Sequence, residues 1–150
     1  MFGVTYALLD LAEEFPQKLE HAIIMETGGM KGQRKELLKE EIHSILKHSF
    51  ATENIHSEYG MTELLSQGYS KGSNIFKTPP WMKILTRDVN DPLSIISNKT
   101  GGINVIDLAN IYSCPFIATQ DLGRTFDDGS FSVLGRFNNA DVRGCNLLVQ

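Results

Sequence analysis

One short segment combines side chains suited to binding a nucleotide: Tyr59, Gly60, Met61, Thr62 and Glu63. The tyrosine ring can stack on a base, and the threonine hydroxyl can hydrogen-bond a phosphate near the positive end of a helix. The glutamate carboxylate is a hard oxygen ligand of the kind that Mg²⁺ prefers. The alternative is a buried tyrosine before an ordinary helix start, which the threonine caps and where the glutamate favours the helix dipole. Both interpretations predict a short helix from Thr62.

The elements around this segment alternate between helix and strand. Residues 6–15 have the apolar spacing of a helix that a proline ends, and residues 21–25 form a short apolar run suited to a buried strand. Residues 33–48 place leucines and isoleucines on one stripe with charges opposite, which predicts a second helix. A strand at 56–60 and the short helix after it complete a strand-helix-strand unit. This order is typical of α/β architecture.

Beyond Gly68 the pattern changes to short β-like runs separated by Asn, Asp and Gly turns. The runs are residues 81–86, 103–106, 114–118, 131–136 and 145–149. The sequence therefore predicts two parts of one structural unit. These are an α/β sheet part over residues 1–70 and a small β-rich, barrel-like part over residues 71–150.

Composition limits the functional class. A chain of 150 residues is the size of one ordinary domain with a core. Its formal net charge of -4 argues against binding to a nucleic-acid backbone, because no basic stripe would neutralise the phosphates. The acidic start does not fit a secretory signal, and no apolar run is long enough to predict a membrane span. We expect a cytoplasmic protein with reduced thiols.

The two cysteines, Cys114 and Cys145, are too few for a disulfide scaffold and too far apart for a zinc site. Free cysteine is among the residues most often buried. Cys114 precedes a proline and an apolar run, and we predict a buried structural thiol there.

The set Tyr59, Gly60, Thr62 and Glu63 resembles the adenine- and magnesium-binding motif of the adenylate-forming enzyme superfamily. The resemblance implies that the tyrosine stacks on adenine, the threonine contacts the α-phosphate of ATP or AMP, and the glutamate binds Mg²⁺. In that superfamily an upstream glycine pair at a strand end forms the other wall of the adenine slot, and Gly28–Gly29 matches it. The alternative for this pair is a tight turn without a ligand.

Two further matches lie in the second half. Thr119-Gln120-Asp121 is similar to the superfamily's Thr-Gly-Asp segment, whose aspartate binds both ribose hydroxyls, although Gln120 replaces the usual glycine. Arg136 is similar to an arginine that contacts the ribose or phosphate. The alternatives are a turn residue at Asp121 and a solvated strand-end charge at Arg136. If the resemblance holds, both side chains surround the same opening as Tyr59.

A narrower resemblance involves residues 26–36, 107–110 and 142–147. These segments look like the acyl-protein synthetases of bacterial bioluminescence and their relatives. The resemblance implies ATP-dependent activation of a fatty acid and transfer of the acyl group to Cys145, then to a fatty acyl reductase partner. A thiolate attacks an acyl-adenylate well, and Arg143 nearby would favour the charged thiolate.

The resemblance also implies missing parts. The chain looks like the C-terminal part of an adenylate-forming large domain, without the loop that holds the triphosphate. We therefore expect a partial domain with weak turnover, which can self-associate through the surface left by the missing half. Two other functions stay open: an acyl- or aryl-CoA ligase, and a non-catalytic remnant that acts as a binding module.

Overall fold

The computed structural model describes residues 1–30, 33–35 and 37–137, which fall into two units, Met1–Lys77 and Thr78–Gln150. The sequence places the boundary after residue 70 instead. The seven residues between belong with the first unit because they return to its sheet: Tyr69 and Lys77 exchange two backbone hydrogen bonds of 2.9 Å.

The first unit is a four-stranded sheet with two helices. Its strands lie in the order β1-β2-β3-β4, the first three parallel and β4 antiparallel to β3. The elements are β1 (Phe2–Val4), α1 (Thr5–Glu14), β2 (Ile24–Thr27), α2 (Lys39–Phe50), β3 (Ile55–Tyr59) and β4 (Gly68–Ser70). The parallel pairs place the carboxyl ends of β2 and β3 at the same edge of the sheet.

Helix α1 confirms the first predicted helix to within one residue, whereas α2 begins six residues later than predicted. The side chain of Arg34 explains the late start. It contacts Asp10 at 2.5 Å and Glu13 at 2.6 Å on α1, which holds residues 33–35 in a non-helical segment. The helix starts after Leu38, whose N–H donates to the Glu41 carboxylate at 2.8 Å.

The core of the first unit joins both helices to the sheet. On α2, Ile42 and Leu46 of the predicted stripe are buried. Phe50, one turn beyond the predicted end of the stripe, is buried as well. Leu38 belongs to the same predicted stripe but is 69% exposed, because it precedes the helix. The buried core comprises Leu8, Leu9, Ala12, Ile24, Met30, Ile42, Leu46, Phe50 and Ile55.

The second unit is an antiparallel sheet in the order β6-β5-β7-β8-β9. Its strands are β5 (Met82–Arg87), β6 (Ile95–Ile96), β7 (Gly101–Asp107), β8 (Phe116–Thr125) and β9 (Phe131–Arg136). Four of the predicted β-like runs overlap β5, β7, β8 and β9, although β8 continues to Thr125, beyond the predicted end at residue 118. The fifth run lies outside the described residues. Within the described residues the sheet is open, with β6 and β9 at its edges.

Among the described residues, no helix is long and apolar enough to cross a membrane.

Candidate functional site

The parallel pairing of β2 and β3 brings the glycine pair and the tyrosine to neighbouring positions. Thr27 lies opposite Glu58 in the register, so Gly28 and Tyr59 occupy the carboxyl ends of adjacent strands. Ligands of open α/β sheets bind at this edge, outside the carboxyl ends of parallel strands. The first unit therefore places two groups of the predicted adenine slot side by side.

The two glycines of this turn differ in what they require. Gly28 has a φ of 72°, a left-handed conformation that glycine adopts without strain. A Cβ at Gly29 would meet no heavy atom within 4 Å. Packing among the described residues therefore does not explain Gly29.

Tyr59 lies in a well-packed position. Its side chain is 8% exposed, and its ring meets the ring of Phe76 edge to face, with centroids 6.3 Å apart and an interplanar angle of 66°. This contact orients the tyrosine ring. Stacking of the ring on adenine stays a prediction.

The predicted helix at Thr62 is wrong. Residues 61–66 form turns, with the N–H of Leu64 donating to the carbonyl of Met61 at 3.0 Å. These turns lead the chain back to β4, which pairs with β3 as Tyr59 opposite Gly68. A phosphate near Thr62 would therefore contact a turn and gain nothing from a helix dipole.

Thr62 and Glu63 are both exposed in this turn, next to the carboxyl edge of the sheet. No cluster of three His, Cys, Asp or Glu side chains suited to a metal occurs among the described residues. A single exposed carboxylate fits Mg²⁺ that is bound mainly through phosphate oxygens, which is how proteins commonly hold this ion with a nucleotide.

In the second unit, Asp121 and Arg136 lie directly opposite each other on β8 and β9. The Nε of Arg136 donates to Oδ1 of Asp121 at 3.3 Å, with the aspartate side chain 14% exposed and the arginine 76%. The turn proposed as the alternative for Asp121 is wrong, because β8 runs through it to Thr125. The two units thus assemble two pairs of predicted site residues, and a shared opening for all of them stays a prediction.

A bulge interrupts the regular pairing of β8 at residues 119–121, and Asp121 is its last residue. Residues 119–121 of β8 lie where β7 has only Ile103, between the pairs Asn104–Ala118 and Gly102–Leu122. The bulge sets the direction of Asp121. Within the bulge, the carbonyl of Thr119 accepts a hydrogen bond from Arg87. The sequence does not mark Arg87 as a site residue, because a charged residue at a strand end is not a specific signal.

The buried carboxylate of Glu26 is a second feature that the sequence analysis missed. The predicted strand ends at residue 25, but Glu26 lies within β2 and is fully buried. The sequence could have indicated this buried carboxylate, because a glutamate that continues an apolar strand needs a polar partner in the core.

The structure tests the prediction for one of the two cysteines. Cys145 lies outside the described residues, so its role as acyl acceptor stays a prediction. Cys114 is exposed, and the predicted burial is wrong because residues 111–114 form exposed turns before β8.

Comparisons with known proteins show the fold. MatB from Rhodopseudomonas palustris, solved with bound ATP, matches with a TM-score of 0.65 at 16% identity over 90% of this chain and 30% of that protein. O-succinylbenzoate coenzyme A synthetase from Bacillus subtilis, in complex with ATP and magnesium ion, matches with a TM-score of 0.61 at 21% identity over 90% of this chain and 31% of that protein. A benzoate CoA ligase from Burkholderia xenovorans gives 0.59 at 16% identity over 90% and 30%. No protein-family model and no curated protein matches the chain.

These likenesses confirm the predicted fold class, an α/β sheet unit followed by a β-rich part. The chain spans less than a third of the length of each of these proteins. Two of the three are, by name, a CoA ligase and a CoA synthetase. The narrower resemblance to acyl-protein synthetases stays a prediction.

Proposed function

We propose that this chain is the nucleotide-binding part of an enzyme that activates a carboxylic acid with ATP as an acyl-adenylate. The observation that carries the proposal is the placement of the Gly28–Gly29 turn beside Tyr59, at the carboxyl edge of adjacent parallel strands. The same fold occurs in MatB and in a coenzyme A synthetase, both solved with ATP bound.

Each predicted site residue has a role in this proposal. Tyr59 and the glycine turn hold adenine, Gly60 lets the backbone turn away from the strand, and Thr62 contacts the α-phosphate. Asp121 accepts hydrogen bonds from the ribose hydroxyls, and Arg136 offsets its charge. When bound by Glu63, Mg²⁺ would neutralise phosphate charge.

The finer proposal concerns the acceptor. A fatty acid carboxylate attacks the α-phosphate of ATP, forming acyl-AMP and releasing pyrophosphate. The thiolate of Cys145 then attacks the acyl carbon, AMP leaves, and a thioester remains for a fatty acyl reductase. The second candidate is transfer to coenzyme A, which the names of two similar structures favour.

Tyr59→Ala is expected to weaken AMP binding about tenfold, because stacking of a base on an aromatic ring contributes roughly 1–3 kcal/mol. Tyr59→Phe keeps the ring and is the matched control, expected within about twofold of wild type. Isothermal titration calorimetry with AMP measures both, after circular dichroism has confirmed folding. Equal affinity in wild type and Tyr59→Ala would contradict the adenine slot, as would no binding of AMP by wild type.

The acceptor is tested by supplying a preformed alkyne-tagged fatty acyl-adenylate, which bypasses activation. We expect a hydroxylamine-sensitive protein adduct in wild type and in Cys114→Ser, and its loss in Cys145→Ser. Cys114 is the right control because it is exposed and accessible to unspecific acylation. An adduct that persists in Cys145→Ser, or acyl-CoA formation without any adduct when coenzyme A is added, would contradict transfer to this cysteine.

A further inference from the structure

The bulge in β8 needs more than strand pairing to hold its shape. Three residues, 119–121, face one residue of β7, so the sheet ladder cannot satisfy all their backbone groups. Asp121 is the last of the three. Its direction therefore depends on whatever fixes the bulge.

Arg87, the last residue of β5, supplies that support. Its Nη2 donates to the carbonyl of Thr119 at 2.6 Å. Its Nη1 donates to the carbonyl of Ile103 at 2.8 Å and to Oδ1 of Asn104 at 2.6 Å. One guanidinium thus connects the bulged strand with the strand opposite it.

The hydroxyl of Thr119 links the Ile103 carbonyl to the backbone of Asp121. The Thr119 hydroxyl donates to the carbonyl of Ile103 at 2.9 Å and accepts from the N–H of Asp121 at 3.1 Å. Arg87 and Thr119 therefore share the Ile103 carbonyl. A chain of three hydrogen bonds, through the Ile103 carbonyl and the Thr119 hydroxyl, leads from the guanidinium to the backbone of Asp121. A fourth joins the guanidinium directly to the Thr119 carbonyl.

The site is built for an arginine. A Cβ at Gly102 would lie 2.5 Å from Cζ of Arg87, so only glycine leaves room for the guanidinium. The Phe137 ring lies on the guanidinium at 5.7 Å. Among the described residues, Arg87 forms no ion pair with a carboxylate. Its charge-assisted hydrogen bonds go to carbonyl oxygens, and burial lowers its pKa from the usual value.

We propose that Arg87 is a positioning residue for ribose recognition, which holds the Thr119–Asp121 bulge so that the Asp121 carboxylate can accept both ribose hydroxyls. This inference rests on the proposed function, since it assumes that Asp121 binds a nucleotide. Lysine cannot replace this arginine, because an ammonium has no planar fork to reach the carbonyls of Thr119 and Ile103 together.

The test compares AMP with 2′,3′-dideoxy-AMP on the full chain. Two hydrogen bonds to a charged carboxylate predict that wild type binds AMP about 150-fold more tightly than the dideoxy form. Asp121→Asn should reduce this ratio markedly. Arg87→Lys and Arg87→Met should reduce it to about threefold or less, while affinity for the dideoxy form changes by less than about twofold. Arg124→Met is the control, since Arg124 lies on β8 over the Phe126 ring, away from the bulge, and should keep the wild-type ratio.

Amide exchange gives a readout without ligand. Faster exchange of the Asp121 N–H in Arg87→Lys, with protection elsewhere in the second unit retained, supports positioning. Unchanged exchange or an unchanged ratio in a folded Arg87→Lys protein overturns it. An equal loss of affinity for both nucleotides also overturns it, since that would show a merely structural role. A wild type that binds neither nucleotide, or does not discriminate between them, refutes nucleotide binding through Asp121 and with it this inference, whatever the exchange data show.

Discussion

Glu26→Gln is expected to lower the free energy of unfolding of the first unit by about 3 kcal/mol, because it breaks a buried ion pair from one side. Glu26 is fully buried, accepts a hydrogen bond of 2.6 Å from the Thr5 hydroxyl and pairs with the ammonium of Lys39. His43 Nε2 lies 3.8 Å from the same carboxylate and 2.9 Å from the hydroxyl of Ser57. Glutamine keeps the shape of this cluster but leaves Lys39 without its counter-charge.

Urea unfolding measures this loss. The matched control is Glu53→Gln, since Glu53 pairs with Lys47 at 2.7 Å but its side chain is 85% exposed. Exposed ion pairs contribute little, so this control should change the free energy of unfolding by less than about 1 kcal/mol. Equal effects of the two substitutions would show that the Glu26 cluster does not stabilise the fold.

The same cluster predicts the response to acid. Burial by itself raises the pKa of Glu26, but contacts from His43, Lys39 and Ser57 more than offset this and lower the pKa to about 2 from 4.5. A carboxylate whose pKa is lower in the folded state stabilises the protein above its unfolded pKa, and this contribution disappears as the pH falls through the folded pKa. As the pH falls from 4.5 to about 2, the free energy of unfolding of wild type should therefore decrease by about 3 kcal/mol more than that of Glu26→Gln, which has no carboxylate at this position. An equal decrease in the free energy of unfolding of the two proteins over this pH range would contradict this prediction.

Gly123→Ala is expected to lower the free energy of unfolding of the second unit by about 3 kcal/mol. A Cβ at this position would lie 2.4 Å from the carbonyl oxygen of Ser132 on β9 and 2.6 Å from the side chain of Ile103 on β7. The first contact is with backbone, which can yield only if β9 moves away from β8. Such a movement would also disturb Asp121, two residues back along β8, and its pair with Arg136 on β9.

Gly29→Ala is the control for Gly123→Ala, because a Cβ at Gly29 would meet no heavy atom within 4 Å. Its free energy of unfolding should stay within about 0.5 kcal/mol of wild type. Urea unfolding measures both variants, and two-dimensional NMR of Gly123→Ala reports whether the β8–β9 pairing has shifted. A Gly123→Ala protein as stable as Gly29→Ala would contradict the close approach of the three strands.

Local pattern predicted most of the elements. The sequence predicts strand β9 as residues 131–136, and the structure shows Phe131–Arg136, because a β-like run after an Asp-Asp-Gly turn is a local signal. The late start of α2 could not be predicted, since Arg34 reaches acids more than twenty residues away. Strand β1 was also missed, because three residues carry no period and its pairing with β2 alone defines it.

The sequence by itself determined which chemical groups are present: an aromatic ring, a glycine pair, acids and an arginine in an order that resembles a nucleotide site. Only the tertiary structure decided which of them meet. Parallel pairing places Gly28 beside Tyr59, and antiparallel pairing places Asp121 opposite Arg136. At the bulge in β8, the guanidinium of Arg87 donates a hydrogen bond to the carbonyl of Thr119. The physical reason is that backbone periodicity is encoded over a few residues, whereas strand register and buried partners depend on residues far apart in the chain.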